Sequence, residues 1–181
     1  MEPVEINAGT YYLRQLRADD RMDDRPALIE AFADAATQRY RSARVPDSDA
    51  ATAYVRDREA AWESDTRYTW VVAEQTTGAL LAEVELNRLD PANRAAGLAF
   101  WTHPAHRGGG VLVPSIGAVL RFASGALGMH RTELRHVASN HAARRVAEKC
   151  GFTLDGTLRE AAVVDGTTED LLIWSRLSTD S

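Results

Sequence analysis

The 181-residue chain is 45% hydrophobic and 26% charged, the composition of an ordinary globular protein, and its length suits one domain, 1–181, below the roughly 250 residues at which chains begin to divide. A net charge of −5 disfavours a surface built for nucleic-acid phosphates. The chain has a single cysteine, Cys150, no long apolar run and no signal-like N-terminus, which leads us to expect a cytoplasmic protein without disulfide, metal or membrane contact.

Tyr11 to Arg17 alternates and reads as a first strand. Asp19, Asp20, Asp23 and Asp24 precede Pro26, a composition suited to a helix start, and Leu28, Phe32 and Ala35 or Ala36 continue at helical spacing. Pro46-Asp47-Ser48 breaks the chain before a second helix from Asp49 to about Trp62. Tyr68 to Ala73 and Ala79 to Leu86 form a hairpin around Thr76-Thr77-Gly78, and Ala95 to Thr102 is the next strand of a meander.

After it comes His103-Pro104-Ala105-His106-Arg107-Gly108-Gly109-Gly110-Val111. Glycines lack Cβ, so successive backbone N–H groups can close around an anion. The helix that follows, with Leu112, Ile116, Val119 or Leu120, Ala123 and Leu127 on one face, adds its unpaired N–H donors at the same point, and Arg107 adds a full charge. Taken alone this is a cradle for a diphosphate, whether of a nucleotide, a dinucleotide or a coenzyme. A dinucleotide fold would place its glycines after the first strand, and no Gly-x-x-x-x-Gly-Lys-Ser/Thr is present.

Gly128 stops that helix, Thr132 to Val137 alternates as a strand, and Asn140 can cap a helix running through Ala143, Val146 and Cys150 to Gly151. Phe152 to Leu154, Ala161 to Val164 and Leu171 to Leu177 complete the strands, with Asp165-Gly166 as a turn.

The glycine loop after the fourth strand, joined to Asn140-x-x-x-x-Arg145-Val146-x-Glu148-Lys149-x-Gly151-Phe152 after the fifth, resembles the GNAT acetyltransferase superfamily. More narrowly it resembles the RimJ/RimL-like branch of ribosomal-protein N-terminal acetyltransferases, over about Tyr11 to Leu177. The resemblance implies an α/β (α+β) fold, a mixed, mostly antiparallel sheet of about seven strands flanked by about four helices. It implies acetyl-coenzyme A, or another acyl-coenzyme A, lying where the fourth and fifth strands splay apart. Carried over, the amides around Arg107, Gly108, Gly109, Gly110 and Val111 hold the pyrophosphate, Phe100, Trp101, Thr102 and His103 pair with the pantetheine as an added strand, and Asn140 and Arg145 lie near the cofactor. The implied acceptor is an amine, of a protein N-terminus or a small molecule, and family members are often homodimers. An unpaired strand edge also suits the two pantetheine amides on physical grounds.

Acetyl transfer to an amine needs a neutral amine, stabilisation of the oxyanion by a backbone N–H near Trp101 or Thr102, and a proton for the departing thiolate. Two polar groups common in the family are missing: Ala96-Gly97 stands where a glutamate is frequent, and Ala143 where a serine is. Glu83 and Glu85 are the first candidates for a base, because two residues apart on a strand they share a face; the plainer alternative is that both face solvent, with Leu80, Ala82, Val84 and Leu86 toward the core. Trp101 sits at the motif, where it can border the acetyl group. His136, His141 and Glu160 are lesser candidates. His103 and His106 read as surface residues and Cys150 as core. The segment Arg39, Tyr40, Arg41 and Arg44 reads as a solvated basic stretch, the other reading being a cover for the acceptor site. Beside the acyltransferase stands a second class, a non-catalytic acyl-coenzyme A-binding or sensing domain, which the missing polar groups would suit.

Overall fold

The computed structural model describes residues 1–180. In chain order its elements are β1 (Ile6–Ala8), β2 (Tyr11–Arg14), β3 (Ala18–Asp19), β4 (Met22–Asp23), α1 (Arg25–Ala33), α2 (Ala35–Tyr40), α3 (Ser48–Glu63), β5 (Tyr68–Glu74), β6 (Leu80–Asp90) and β7 (Ala95–Thr102). There follow a short 3-10 turn (Pro104–His106), α4 (Leu112–Gly125), β8 (Arg131–Val137), α5 (His141–Lys149), β9 (Thr153–Val164) and β10 (Thr167–Leu177). Eight strands make one sheet in the order β1-β2-β5-β6-β7-β8-β10-β9. Every neighbour pair is antiparallel except β7 with β8, which run parallel and are joined by the crossover through α4.

Alternation along the strands supplies two cores. Trp70 and Val72 of β5 with Ala82, Val84 and Leu86 of β6 pack against Ile116, Val119 and Ala123 of α4 and Ala147 of α5, on what we call the back of the sheet. Val71 and Ala73 of β5, Leu80 of β6 and Trp101 of β7 pack against Leu28 and Phe32 of α1 and Ala51, Tyr54 and Val55 of α3, on the front. Helix α3 forms where the sequence places it: Asp47 accepts the amide of Ala50 at 2.8 Å as the N-cap, and Ala51, Tyr54, Val55, Arg58, Ala61 and Trp62 repeat at three and four residues on the buried side.

The structure departs from the sequence reading at both ends. The sheet has eight strands instead of about seven, because Ile6–Ala8 pairs with Tyr11–Leu13 across a turn at Gly9. The strand read to Arg17 ends at Arg14, and Ala18–Asp19 pairs with Met22–Asp23 in a short ribbon before the helix. Asp24 closes this corner: its carboxylate takes both Arg14 nitrogens at 2.8 Å and the Arg17 amide at 2.8 Å, an ion pair buried at both partners. The first helix stops at Ala33 because Asp34 is extended (ψ 130°) and caps a separate α2, accepting from the Thr37 amide at 2.8 Å. The two strands read at Phe152 to Leu154 and Ala161 to Val164 are one edge strand, β9, which begins at Thr153 and whose polar middle pairs with β10 in the open and needs no apolar alternation.

Candidate active site

Parallel pairing of β7 with β8 runs from Ala95 opposite Arg131 to Leu98 opposite Leu134 and then ends. Beyond it Ala99–Thr102 and Arg135–Val137 diverge, and each strand leads into a helix, so the mouth of this fork is framed by the N-termini of α4 and α5. That is where open α/β sheets bind ligands, at the carboxyl ends of strands between two helix starts. The glycine loop lies at the mouth. Gly108 and Gly110 hold left-handed backbone (φ +77° and +75°), and a β-carbon on either would meet nothing within 4 Å; the loop needs glycine for its conformation and leaves open space above its amides. Val111 at the N-cap offers no side-chain oxygen, so the first amides of α4 have no side-chain partner.

Several predicted cofactor residues have side chains engaged within the protein. Arg107 points away from the loop: its Nη2 donates to Asp34 Oδ2 at 2.5 Å and to Thr37 Oγ1 at 2.9 Å, and this pairing holds the Asp34 carboxyl down at about 2. His103 is buried, contrary to its reading as a surface residue; its Nδ1 accepts the Ala105 amide at 3.3 Å, and burial lowers its pKa. Asn140 is the N-cap of α5, accepting the Ala143 amide at 3.0 Å, and Arg145 is exposed on that helix. Phe100 packs toward the back core and Thr102 is half-buried. Trp101 is buried on the front, edge-on to Phe32 with ring centroids 5.3 Å apart, and its indole N–H has no partner.

Glu83 and Glu85 do not face solvent. Both sides of β6 are buried, and Glu83 is 1% exposed beneath α3, directly across the strand pair from Trp101. Tyr54 Oη donates to its two oxygens at 2.8 and 3.1 Å, and Arg41 Nη2 stands 4.0 Å away. Burial pushes the Glu83 carboxyl up, while Arg58 and Arg41 pull it back. The Tyr54 hydroxyl is also pushed up, by burial and by Glu83, so it stays a donor. Arg58 lies over the Tyr54 ring at 3.4 Å. Glu85 is tied up by Asn87 Nδ2 at 2.7 Å, Thr69 Oγ1 at 3.5 Å and Arg67 Nε at 3.7 Å.

The Arg39–Arg44 segment is solvated only in part: Arg39 and Arg44 are exposed, Tyr40 and Arg41 half-buried. Besides Arg41 on Glu83, Tyr40 Oη donates to the Ser139 carbonyl at 3.3 Å, and Arg39 reaches Asp165 at 3.5 Å and Glu169 at 3.8 Å, so α2 spans the front of the fork to the opposite half of the sheet. Among the lesser candidates, His136 is structural: its Nε2 accepts from Trp174 Nε1 at 2.9 Å, Nδ1 faces the Val137 carbonyl at 2.9 Å, and burial lowers its pKa. His141 and Glu160 are exposed. Cys150 is buried and its thiol pushed up to about 11. The sequence reading missed Tyr54, Arg41 and Arg58 as parts of the Glu83 cluster. One signal was available: an arginine within the apolar stripe of α3 has to find a buried partner.

The chain matches the acetyltransferase (GNAT) domain family over residues 11–153. It is 27% identical over 103 residues to YdaF of Bacillus subtilis (strain 168), covering 57% of this chain and 56% of that protein. It is 24% identical over 98 residues to the ribosomal-protein-serine acetyltransferase of Escherichia coli (strain K12), covering 54% and 55%. The matched region thus spans about half the length of these curated relatives. The fold is similar to a solved structure of RimL, ribosomal L7/L12 alpha-N-protein acetyltransferase, in complex with coenzyme A, at a TM-score of 0.85 and 21% identity over 96% of this chain and 98% of that one. With the fork, the glycine loop and the family match in agreement, the chain belongs to the GNAT acetyltransferases.

Proposed function

We propose that this chain transfers an acetyl group from acetyl-coenzyme A to a primary amine, a protein N-terminus or a small molecule, with Glu83 as the proton acceptor. The observation that carries this reading is the fork, an unpaired strand edge at Ala99–Thr102 that leads directly into the glycine loop and the uncapped start of α4. Strand edge and loop match the two chemistries of the coenzyme, amides along its arm and anionic phosphates at its end. A cavity of about 430 Å³ adjoins the same helix start at Val113 and Pro114 and carries Arg121, Lys149 and Arg176, cations suited to further phosphate. Bound there, acetyl-coenzyme A supplies an activated thioester.

The residues of the chain do the rest. Fork-facing N–H groups of Ala99–Thr102 stabilise negative charge on the carbonyl oxygen. Glu83, raised above the ordinary carboxylate range by burial, is closer in proton affinity to an amine than an exposed glutamate and takes the proton the amine loses on attack. Tyr54 and Arg41 hold that carboxylate in place. The departing thiolate takes its proton from solvent at the open mouth, since Ala143 offers none.

The absence of polar side chains at Gly97 and Ala143 favours a second reading, an acyl-coenzyme A sensor without turnover. Incubation with acetyl-coenzyme A and a panel of amines and N-terminal peptides, following free thiol, separates the two. Acceptor-dependent thiol release that falls in Glu83→Gln with coenzyme binding intact supports transfer by Glu83. Tight binding with no release over any acceptor supports the sensor.

A further inference from the structure

The front of β8 lies open beyond the edge of α1–α3, and the charge there is opposite to that of the chain as a whole. Along β8, Thr132, Leu134 and His136 are buried on the back, so Glu133 and Arg135 point to the front. Glu133 stands opposite Gly97 across the parallel junction. Arg88 reaches the same place from β6. Strand alternation would send it to the back, but the register shift between Asn87 and Asp90 and its left-handed backbone (φ 44°) turn it over. Its guanidinium carbon lies 2.7 Å from where a β-carbon on Gly97 would stand, with Nη2 at 2.5 Å and Asn87 Oδ1 at 2.3 Å. With glycine at position 97, the space a side chain would fill holds a cation.

That cation is under-compensated. Arg88 Nη2 lies 3.6 Å from Glu133 and Arg135 Nε 2.6 Å from the same carboxylate, which Arg131 also reaches at 3.4 Å. The remaining carboxylates nearby are occupied: Asp155 pairs with Arg131 and accepts from Ser175, and Glu85 is taken by Asn87 and Arg67. Arg88 and Arg135 thus share one carboxylate, although each guanidinium has five donors. Both are accessible, with side chains 50% and 42% exposed. Burial and then Arg135 lower the Arg88 pKa, the direction expected of two like charges without enough counter-charge.

We propose that Arg88 and Arg135 form an anion subsite at the base of the fork, and that the acceptor carries a carboxylate that docks there while its amine faces Glu83. This rests on the acetyl-transfer reading of the fork. Gly97, beside which the Arg88 guanidinium lies, is one residue from the end of the parallel pairing and four along β7 from Trp101, which faces Glu83; at about 3.3 Å per residue the two ends of the site are roughly 13 Å apart along the strand, less the reach of Glu83 and a hydrogen bond at each end. That span suits a carboxylate several bonds from the amine, as in the side chain of an aspartate or glutamate with a free α-amine.

The test is calorimetric titration of the protein saturated with coenzyme A, using peptides that begin with Glu, Gln or Lys but are otherwise the same, and free glutamate. The Glu peptide is expected to bind about tenfold or more tightly than the Gln peptide, with the Lys peptide weakest. That ratio should collapse in Arg88→Gln and in Arg135→Gln while coenzyme affinity is unchanged; Arg135, exposed on the strand, guards against a folding failure of the Arg88 variant. Free glutamate binding as well as the Glu peptide identifies a small-molecule acceptor, and peptide binding alone identifies a chain terminus. Equal or tighter binding of the Gln or Lys peptide, a ratio that survives both substitutions, or no binding of any probe overturns the subsite. Thiol release with no acidic preference would overturn the subsite and leave acetyl transfer standing. Acidic binding without thiol release would do the reverse.

Discussion

Replacing Tyr54 with phenylalanine removes one hydroxyl from Glu83 and nothing else of consequence. The ring, its tilted contact with Phe32 at 5.3 Å and the Arg58 guanidinium above it are kept. What is lost is a single proton shared between the two Glu83 oxygens at 2.8 and 3.1 Å, which favours the ionised carboxylate. A hydrogen bond to a charged group contributes about 1.5–3 kcal/mol, so losing this one should raise the Glu83 carboxyl further. A base works deprotonated; raising its pKa therefore costs activity on the acid side and spares the alkaline side. The assay is kcat/KM for thiol release across pH, on whichever amine the acceptor panel identifies. The acid limb should move to higher pH, with the rate recovering toward wild type at high pH. A rate that falls equally at every pH, the limb unmoved, would refute the assignment of Glu83 as the titrating base and reduce Tyr54 to packing.

Gly109→Glu adds a carboxylate to the loop, where even a β-carbon would press on the His106 carbonyl at 3.3 Å. Coenzyme affinity should fall by tenfold or more, by about 1.4 kcal/mol at least, with far-ultraviolet circular dichroism unchanged; retained affinity would remove the loop from the site. Asp34→Asn keeps a capping oxygen for α2 but loses the ion pair with Arg107. Because Asp34 is held at about 2, below its unfolded value, its contribution is present above the ordinary carboxylate range and disappears as pH falls toward 2. The variant should melt lower than wild type at neutral pH, and the two melting curves should converge in acid. Cys150, buried with its thiol pushed up to about 11, should resist alkylation at pH 8 in the native state and react on unfolding; rapid native labelling would contradict its place under α5.

Elements with a strong period and a turn on either side were legible in the sequence: α3, α4, the β5–β6 hairpin and β7 all stand within a few residues of their expected bounds. Those held by tertiary partners were not. Ile6–Ala8 has no period of its own and exists because β2 pairs with it. The polar run Asp155–Glu160 is strand because β10 lies beside it. The fork was expected from family resemblance and not from composition, since nothing in the strand sequences says where parallel pairing ends. Glu83 illustrates the limit of alternation most clearly. Period two placed Glu83 and Glu85 on one face correctly, but whether that face meets water depends on α3, more than twenty residues away in sequence, and on an arginine inside its apolar stripe. Arg88 was illegible because a bulge reverses the side its side chain takes.

The fork also divides the sheet mechanically. Strands β1, β2, β5, β6 and β7 form one leaf and β8, β10 and β9 the other; the ladder across the seam runs over four residue pairs, Ala95–Leu98 with Arg131–Leu134, and is extended at its closed end by the Arg94 carbonyl, which accepts from the His130 and Arg131 amides. Past Leu98 the facing edges of the two leaves no longer pair with each other, and their backbone donors and acceptors need other partners. On the proposed seating, a coenzyme arm would act there as a splint between them. Occupancy at about a hundred times the dissociation constant adds about 2.7 kcal/mol to the folded state, and it adds it at one seam. Hydrogen exchange at Ala99–Thr102 and at Arg135–Val137 should therefore slow together when the coenzyme binds, and the hinge between the leaves should stiffen before the amine arrives.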